Sequence, residues 1–259
     1  MGHTRPMIAG PVAAPGCGSR RTCYLTGCAC RGLNEGAMST LLILGSKPEP
    51  ALPAPGAIDA VACANASGRS AVRHGLPDPV ITVMSAVLTS GHKAANDLAL
   101  EALRGLRTGQ LYIYPRPEAE GSALKRAWRE LRRYRMHPWY FKRRLRALDY
   151  GFDEAIAWSR ERYDALMRRL TGGDPAVAEL MARKQPSTGV MALAIGLADG
   201  RFDRFVMSGF SFEITHAYAH NPLIDEAGST RSKHTETDVA ILRCLAGRHA
   251  GIFTTEPTV

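Results

Sequence analysis

Short apolar runs closed by turn residues recur along the chain and alternate with segments of helical spacing. Leu41 to Leu44 is a continuous apolar run ending in Gly45-Ser46-Lys47-Pro48, the pattern of a buried strand that delivers a glycine turn. Ile58 to Ala64 (IDAVACA) is a second strand, ending at Asn65, and Pro79 to Val87 (PVITVMSAV), rich in β-branched residues, is a third. The connectors between them are short, so any helix between the first two is brief or absent. Asn96 to Leu106 has helical spacing, and Leu111 to Tyr114 (LYIY) predicts another strand.

Residues 122–170 turn to helical composition, with Leu124, Trp128, Leu131 and Tyr134 recurring at intervals of three and four. Further helices are predicted over Phe141 to Leu148 and Phe152 to Leu170, and Thr171-Gly172-Gly173-Asp174-Pro175 is expected to end the run. The whole stretch is expected to be a helical lid or inserted subdomain. Beyond it, Ser187-Thr188-Gly189 opens a small-residue helix, Val190 to Ala198, and Phe205 to Ser208 is a strand ending in Gly209-Phe210-Ser211-Phe212. A polar loop carrying His216, His220 and His234 leads into an apolar helix from about Glu236 to Ala246, and Ile252-Phe253 closes the set of strands. Strand–loop–helix alternation of this kind predicts an α/β protein: a Rossmann-like, mostly parallel sheet with helices on both faces. Residues 1–37 lack apolar periodicity, so folding is expected to begin at Met38, with 1–37 a disordered extension or a mistaken translation start and 38–259 the domain.

The length, 259 residues with 45% hydrophobic and 22% charged side chains, is enough for one large domain with a substantial core. No run approaches 18 uncharged apolar residues, and MGHTRPMIAG lacks a secretory signal's apolar stretch, so a cytoplasmic location is expected. Charge changes the picture more. The net +9 is concentrated between Lys125 and Arg146, which hold ten Lys or Arg against the single acid Glu130. Such a cluster suits an anionic partner (nucleic acid, an acidic membrane surface or a polyanionic glycan) and equally suits a solvated helical insertion. Four of the six cysteines, Cys17, Cys23, Cys28 and Cys30, crowd the first 30 residues. Their spacings match no zinc knuckle, and a disulfide scaffold fits poorly with a chain of this size without a signal.

Gly45, Ser46 and Lys47 follow a buried strand, where backbone N–H groups can approach a ligand. The segment is neither G-x-G-x-x-G nor G-x-x-x-x-G-K-S/T, which argues against ordinary dinucleotide and P-loop sites. Asn65 offers donor and acceptor for a base or ribose, or an Asx turn. His234 stands four residues before Asp238, so one helical face can carry both; a carboxylate would set the imidazole tautomer and make a general base, unless Asp238 caps the helix. His216 and His220 are spaced i,i+4 in a loop-like context without H-E-x-x-H, which leaves a three-histidine zinc site the weaker alternative. No D-x-D pair occurs, so the usual divalent-metal anchor of many nucleotide-sugar enzymes is missing from the sequence.

Five segments together carry a resemblance: LLILGSKP at 41–48, IDAVACAN at 58–65, STGVMALAIGLADG at 187–200, FDRFVMSGFSF at 202–212 and KHTETDVAILRCL at 233–245. In these the chain resembles the bacterial sialyltransferases that decorate lipooligosaccharide and their looser relatives. The resemblance implies a GT-A-like Rossmann variant with a helical lid over the donor. It also implies a CMP-activated sialic acid or related CMP-sugar donor, inversion at the anomeric carbon, no metal and no other cofactor. By the same resemblance, Gly45 and Ser46 match the nucleotide loop, Asn65 the asparagine after the second strand, and Ser187, Thr188 and Gly189 the cytidine-side loop. Gly209 and Phe210 match the turn after the next strand, and His234 the catalytic base. Lid tyrosines are expected to hold the leaving phosphate, with Tyr134, Tyr140, Tyr150 and Tyr163 available and Lys47 a further donor. The partners implied are a CMP-sugar and a glycan or glycolipid acceptor, with residues 125–146 suited to peripheral attachment at the inner membrane; self-association into a homo-oligomer is left open. The alternatives are a non-catalytic nucleotide- or glycan-binding relative and a basic nucleic-acid-binding α/β protein, for which only the basic run speaks.

Overall fold

The computed structural model describes residues 39–47, 49–54, 56–91, 94–116, 122–210, 232 and 234–256, with backbone alone at 126, 127, 129, 130 and 132. The expectations for residues 1–37 and for His216 and His220 lie outside these residues. Among the described residues seven strands make one sheet: β1 (Thr40–Leu44), β2 (Ala60–Ala64), β3 (Ile81–Ser85), β4 (Arg107–Tyr114), β5 (Gly151–Ile156), β6 (Arg204–Ser208) and β7 (Ile252–Thr254). Their spatial order is β5-β4-β3-β2-β1-β6-β7, and all six pairings are parallel. The mostly parallel, Rossmann-like sheet expected from the alternation is thus present, and among the described strands it is wholly parallel.

Sheets of this type are covered on both faces, which is why the central strands read as unbroken apolar runs. Side chains alternate across β1: Leu41 and Ile43 enter one core layer, Leu42 and Leu44 the other. The first layer is covered by α5 (Arg160–Leu170), α6 (Pro175–Arg183), α7 (Thr188–Asp199) and α8 (Thr235–Arg248). The opposite face carries α1 (Gly68–Arg73), α2 (Ala94–Ala102) and α4 (Pro138–Arg146), with α3 (Ala123–Arg132) preceding α4. The helix α7 crosses β1, β2, β3 and β6, and eight consecutive residues, Gly189 to Gly196, are buried. Its small residues permit that approach: a Cβ at Gly196 would lie 2.6 Å from Leu41 Cδ2.

Two expectations need correction. The helix expected from Phe152 starts at Arg160, because Gly151–Ile156 is the edge strand β5. Its acids pair sideways with β4, Arg107 to Asp153 at 3.1 Å and Gln110 to Glu154 at 3.1 Å, and such cross-strand contacts leave no helical period to read. With β5 in the sheet, α5 in one core layer and Phe141 and Leu145 of α4 in the other, most of the stretch 122–170 expected as a helical insertion packs into the domain's core. Likewise Asp174-Pro175 starts a helix instead of only ending one. Asp174 accepts from the Val177 N–H at 3.0 Å and Pro175 occupies the first turn of α6, both N-terminal signals.

Candidate active site

Strand order reverses at β1, since β2 follows it on one side and β6 flanks it on the other. In open parallel sheets the crevice at the carboxyl ends beside such a reversal is where ligands bind. The register sets Leu44 level with Cys63 and with Ser208, so the residues following these strands, Gly45, Asn65 and Gly209, emerge along one edge.

Gly45 and Gly209 touch backbone to backbone. Gly45 N–H donates to the Ser208 carbonyl at 2.8 Å and Lys47 N–H to the Gly209 carbonyl at 2.9 Å. A Cβ at position 45 would sit 2.3 Å from the Gly209 oxygen, and Gly209 itself has φ +76°, a left-handed conformation that favours glycine. Phe210 is buried against the start of α7, where a Cβ at Gly189 would lie 2.4 Å from its ring. Gly45, Gly209, Phe210 and Gly189 therefore form one close-packed floor.

A buried carboxylate that the motifs did not reveal holds this floor from below. Glu256 is 3% exposed; it accepts from Gly209 N–H at 2.9 Å and Ala51 N–H at 3.1 Å, and its other oxygen takes Lys47 Nζ at 2.7 Å. Burial alone would raise its pKa, but the Lys47 ammonium and the two N–H groups outweigh it and hold the carboxyl below its usual value. Lys47, expected to face a phosphate, thus answers Glu256 instead of standing as an unpaired cation. Ser46 is half-buried beside it.

Asn65 has φ +50°, which asparagine tolerates better than most residues. Its side-chain oxygen accepts from Ser85 N–H at 2.9 Å and its amide donates to Thr188 Oγ at 2.9 Å, tying β2, β3 and α7 together. Ser187 caps α7, accepting from Val190 N–H at 3.3 Å, and its own N–H donates to Asp238 at 2.9 Å. Burial pushes the Asp238 carboxyl up to about 6, against the lowering effect of the Ser187 hydrogen bonds.

His234 sits at the start of α8, half-buried, with Nδ1 2.8 Å from the Gln185 carbonyl. A carbonyl only accepts, so Nδ1 carries a proton and donates it to Gln185. Asp238 was the expected tautomer-setting group; the structure gives that part to the Gln185 carbonyl, while the Asp238 carboxylate holds Ser187. No spacing rule points to a backbone carbonyl, and Glu256 has no motif of its own. Two of the four candidate tyrosines belong to the core: Tyr163 is fully buried and donates to the Ile113 carbonyl at 3.2 Å, and Tyr150 is 3% exposed. Tyr134 and Tyr140 remain at the α3–α4 turn, their rings edge to face at 5.5 Å. Among the described residues no group of three His, Cys, Asp or Glu side chains comes together to hold a metal ion.

No protein family's sequence profile matches the chain, and no curated protein matches it in sequence. Solved structures do match. The structural likeness is to bacterial sialyltransferases. The monofunctional alpha-2,3-sialyltransferase Cst-I from Campylobacter jejuni superposes with a TM-score of 0.49 at 14% identity, over 88% of this chain and 82% of that one. The sialyltransferase CstII from Campylobacter jejuni, in complex with cytidine-5'-monophosphate, gives 0.47 at 14% identity over 85% and 81%. The same enzyme in complex with CMP-3FNeuAc gives 0.46 at 14% over 84% and 81%.

Proposed function

We propose that the chain is an inverting, metal-independent glycosyltransferase that moves sialic acid, or a related nonulosonate or Kdo-type sugar, from a CMP-sugar to a glycan hydroxyl. The observation that carries this reading is the convergence on one carboxyl edge of the sheet of every described segment that resembles the sialyltransferases, with His234 anchored through Nδ1 at its rim. The start of α7 would receive the nucleotide, because helix N–H groups suit a phosphate, and the glycine floor packed against it through Phe210 would hold that helix start in place. Asn65 and Asp238 act as positioning residues, holding Thr188 and Ser187 at that helix start.

In the reaction the acceptor oxygen bonds to the anomeric carbon from the face opposite CMP. The carbon–oxygen bond to the phosphate breaks, its electron pair leaves on CMP, and the acceptor proton passes to His234 Nε2. Developing charge on phosphate needs preorganised donors, which the N–H groups at the start of α7 would supply. A monophosphate leaving group makes the missing D-x-D pair tolerable.

The test is thermal stabilisation by CMP in the absence of divalent metal, against UDP and GDP, followed by transfer kinetics. CMP should raise the melting temperature most, and His234→Ala should keep that shift while transfer falls on the order of 10²–10⁴-fold. Preference for UDP or GDP, or stabilisation only with Mn²⁺, would reject the donor. Normal turnover by H234A would move the base elsewhere.

A further inference from the structure

The helix α3 presents an exposed apolar stripe. Leu124 is 83% exposed, Trp128 55% and Leu131 66%. At about 100° per residue their four- and three-residue spacing confines them to an arc of about 60°. The following turn adds exposed aromatic residues: Tyr134 lies 5.5 Å from Tyr140, which lies 5.7 Å from Trp139, itself 56% exposed. Isolated exposed apolar residues need no explanation, but three on one helix face with exposed aromatic residues in the next turn mark an interaction surface.

The same segment holds the ten basic residues counted against Glu130. Among those with described side chains, Lys125, Arg143, Arg144 and Arg146 are exposed. An occupant must therefore answer two chemistries at once. A nucleic acid would meet the charges and leave Leu124, Trp128 and Leu131 in water. A second copy of the chain would bury the stripe but bring two segments of net +9 together. An anionic bilayer surface meets both: acidic headgroups for the Lys and Arg, and the acyl boundary for the leucines, with tryptophan favouring the interface itself. No described helix is long and apolar enough to cross a membrane, so the contact is peripheral.

We infer that α3 and the α3–α4 turn form a docking face for an anionic lipid bilayer. The face stands on the same edge of the sheet as the candidate active site. The residues 134–136 pack on the segment 86–89, which continues β3 beyond its carboxyl end, and Thr89 Oγ donates to the Arg135 carbonyl. Docked this way, the carboxyl edge lies next to the lipid surface, and a lipid-linked glycan becomes the natural acceptor class. That last step rests on the transferase reading; the docking face does not.

The experiment is co-sedimentation of the full chain with vesicles of phosphatidylcholine alone or with about one-third phosphatidylglycerol. The acidic vesicles should bind the protein, the neutral ones far less, and added salt should weaken binding. The Leu124→Ser/Trp128→Ser/Leu131→Ser variant should fold as before, since the three side chains are exposed, and should partition at least about tenfold less. Arg143→Ser and Arg144→Ser should cost about fivefold each. Absence of binding to acidic vesicles, or binding that the triple variant leaves unchanged, overturns the proposal. So does a dimer abolished by the triple variant in a protein that ignores vesicles, or a duplex DNA competitor that displaces the vesicles while binding the triple variant equally well. CMP-dependent stabilisation, read on the same samples without vesicles, separates the two readings: vesicle binding without a CMP effect leaves the docking face and removes the transferase.

Discussion

Substituting Gly45 by Ala tests the central claim about the site's floor, that β1 and β6 end in direct backbone contact. The added Cβ would lie 2.3 Å from the Gly209 oxygen, 2.8 Å from the Gly209 carbonyl carbon and 3.1 Å from the Phe210 ring. The nearest obstacles are backbone atoms, and that backbone is held on three sides: by Gly45 N–H on Ser208 at 2.8 Å, Lys47 N–H on Gly209 at 2.9 Å, and Glu256 on Gly209 N–H at 2.9 Å. Relief requires the strand ends to part by about 1 Å, which costs roughly 1–3 kcal/mol for overpacking and about 1 kcal/mol for the strained Lys47 hydrogen bond. At about 2–4 °C per kcal/mol for a domain of this size, the melting temperature should fall by roughly 4–16 °C, with CMP stabilisation lost. Gly189→Ala supplies the internal comparison, because its obstacle is a side chain, the Phe210 ring at 2.4 Å. Adding Phe210→Leu should therefore restore much of the stability lost in Gly189→Ala and little of that lost in Gly45→Ala. Differential scanning calorimetry reads all four. A melting temperature for Gly45→Ala within about a degree of the parent, or equal rescue of both by Phe210→Leu, would refute the backbone contact.

Two further outcomes follow from named groups. The Asp238 carboxyl is pushed up from 3.8 to about 6, so its contribution to stability is fully present below pH 3.8 and is lost as pH rises through about 6; Asp238→Asn, which keeps an acceptor for Ser187 N–H, should remove up to about 3 kcal/mol of that pH dependence, measured by urea unfolding of both proteins between pH 4 and pH 7. An identical pH profile for the two would show that Asp238 ionises as freely in the fold as outside it. In α8, a Cβ at Gly247 would meet nothing within 4 Å, so Gly247→Ala should stabilise by about 0.5–1 kcal/mol; destabilisation in thermal melts would contradict the open helix surface.

By itself the sequence determined the features whose cause is local. Leu41–Leu44, the core of IDAVACA and Phe205–Met207 are apolar throughout because a parallel strand covered on both faces has no polar side, and that pattern survives in any single window. The glycines after β1 and β6, the Ser187 cap and the small residues of α7 are legible for the same reason: each answers a demand made within a few residues of itself. Tertiary structure alone decided what those residues meet. His234 finds the Gln185 carbonyl 49 residues away, Asp238 finds Ser187 across 51, and Lys47 finds Glu256 across 209. Spacing suggested a His234–Asp238 pair because helical periodicity is all a sequence shows of proximity; the fold sent the imidazole to a main-chain oxygen, which no side-chain pattern encodes. Edge strand β5 was hidden likewise, since Phe152-Asp153-Glu154 becomes a strand only through the ladder that β4 offers it. A local preference can be read from its own residues, whereas a hydrogen bond between distant segments exists only once burial has brought them together and left each polar group to find a partner.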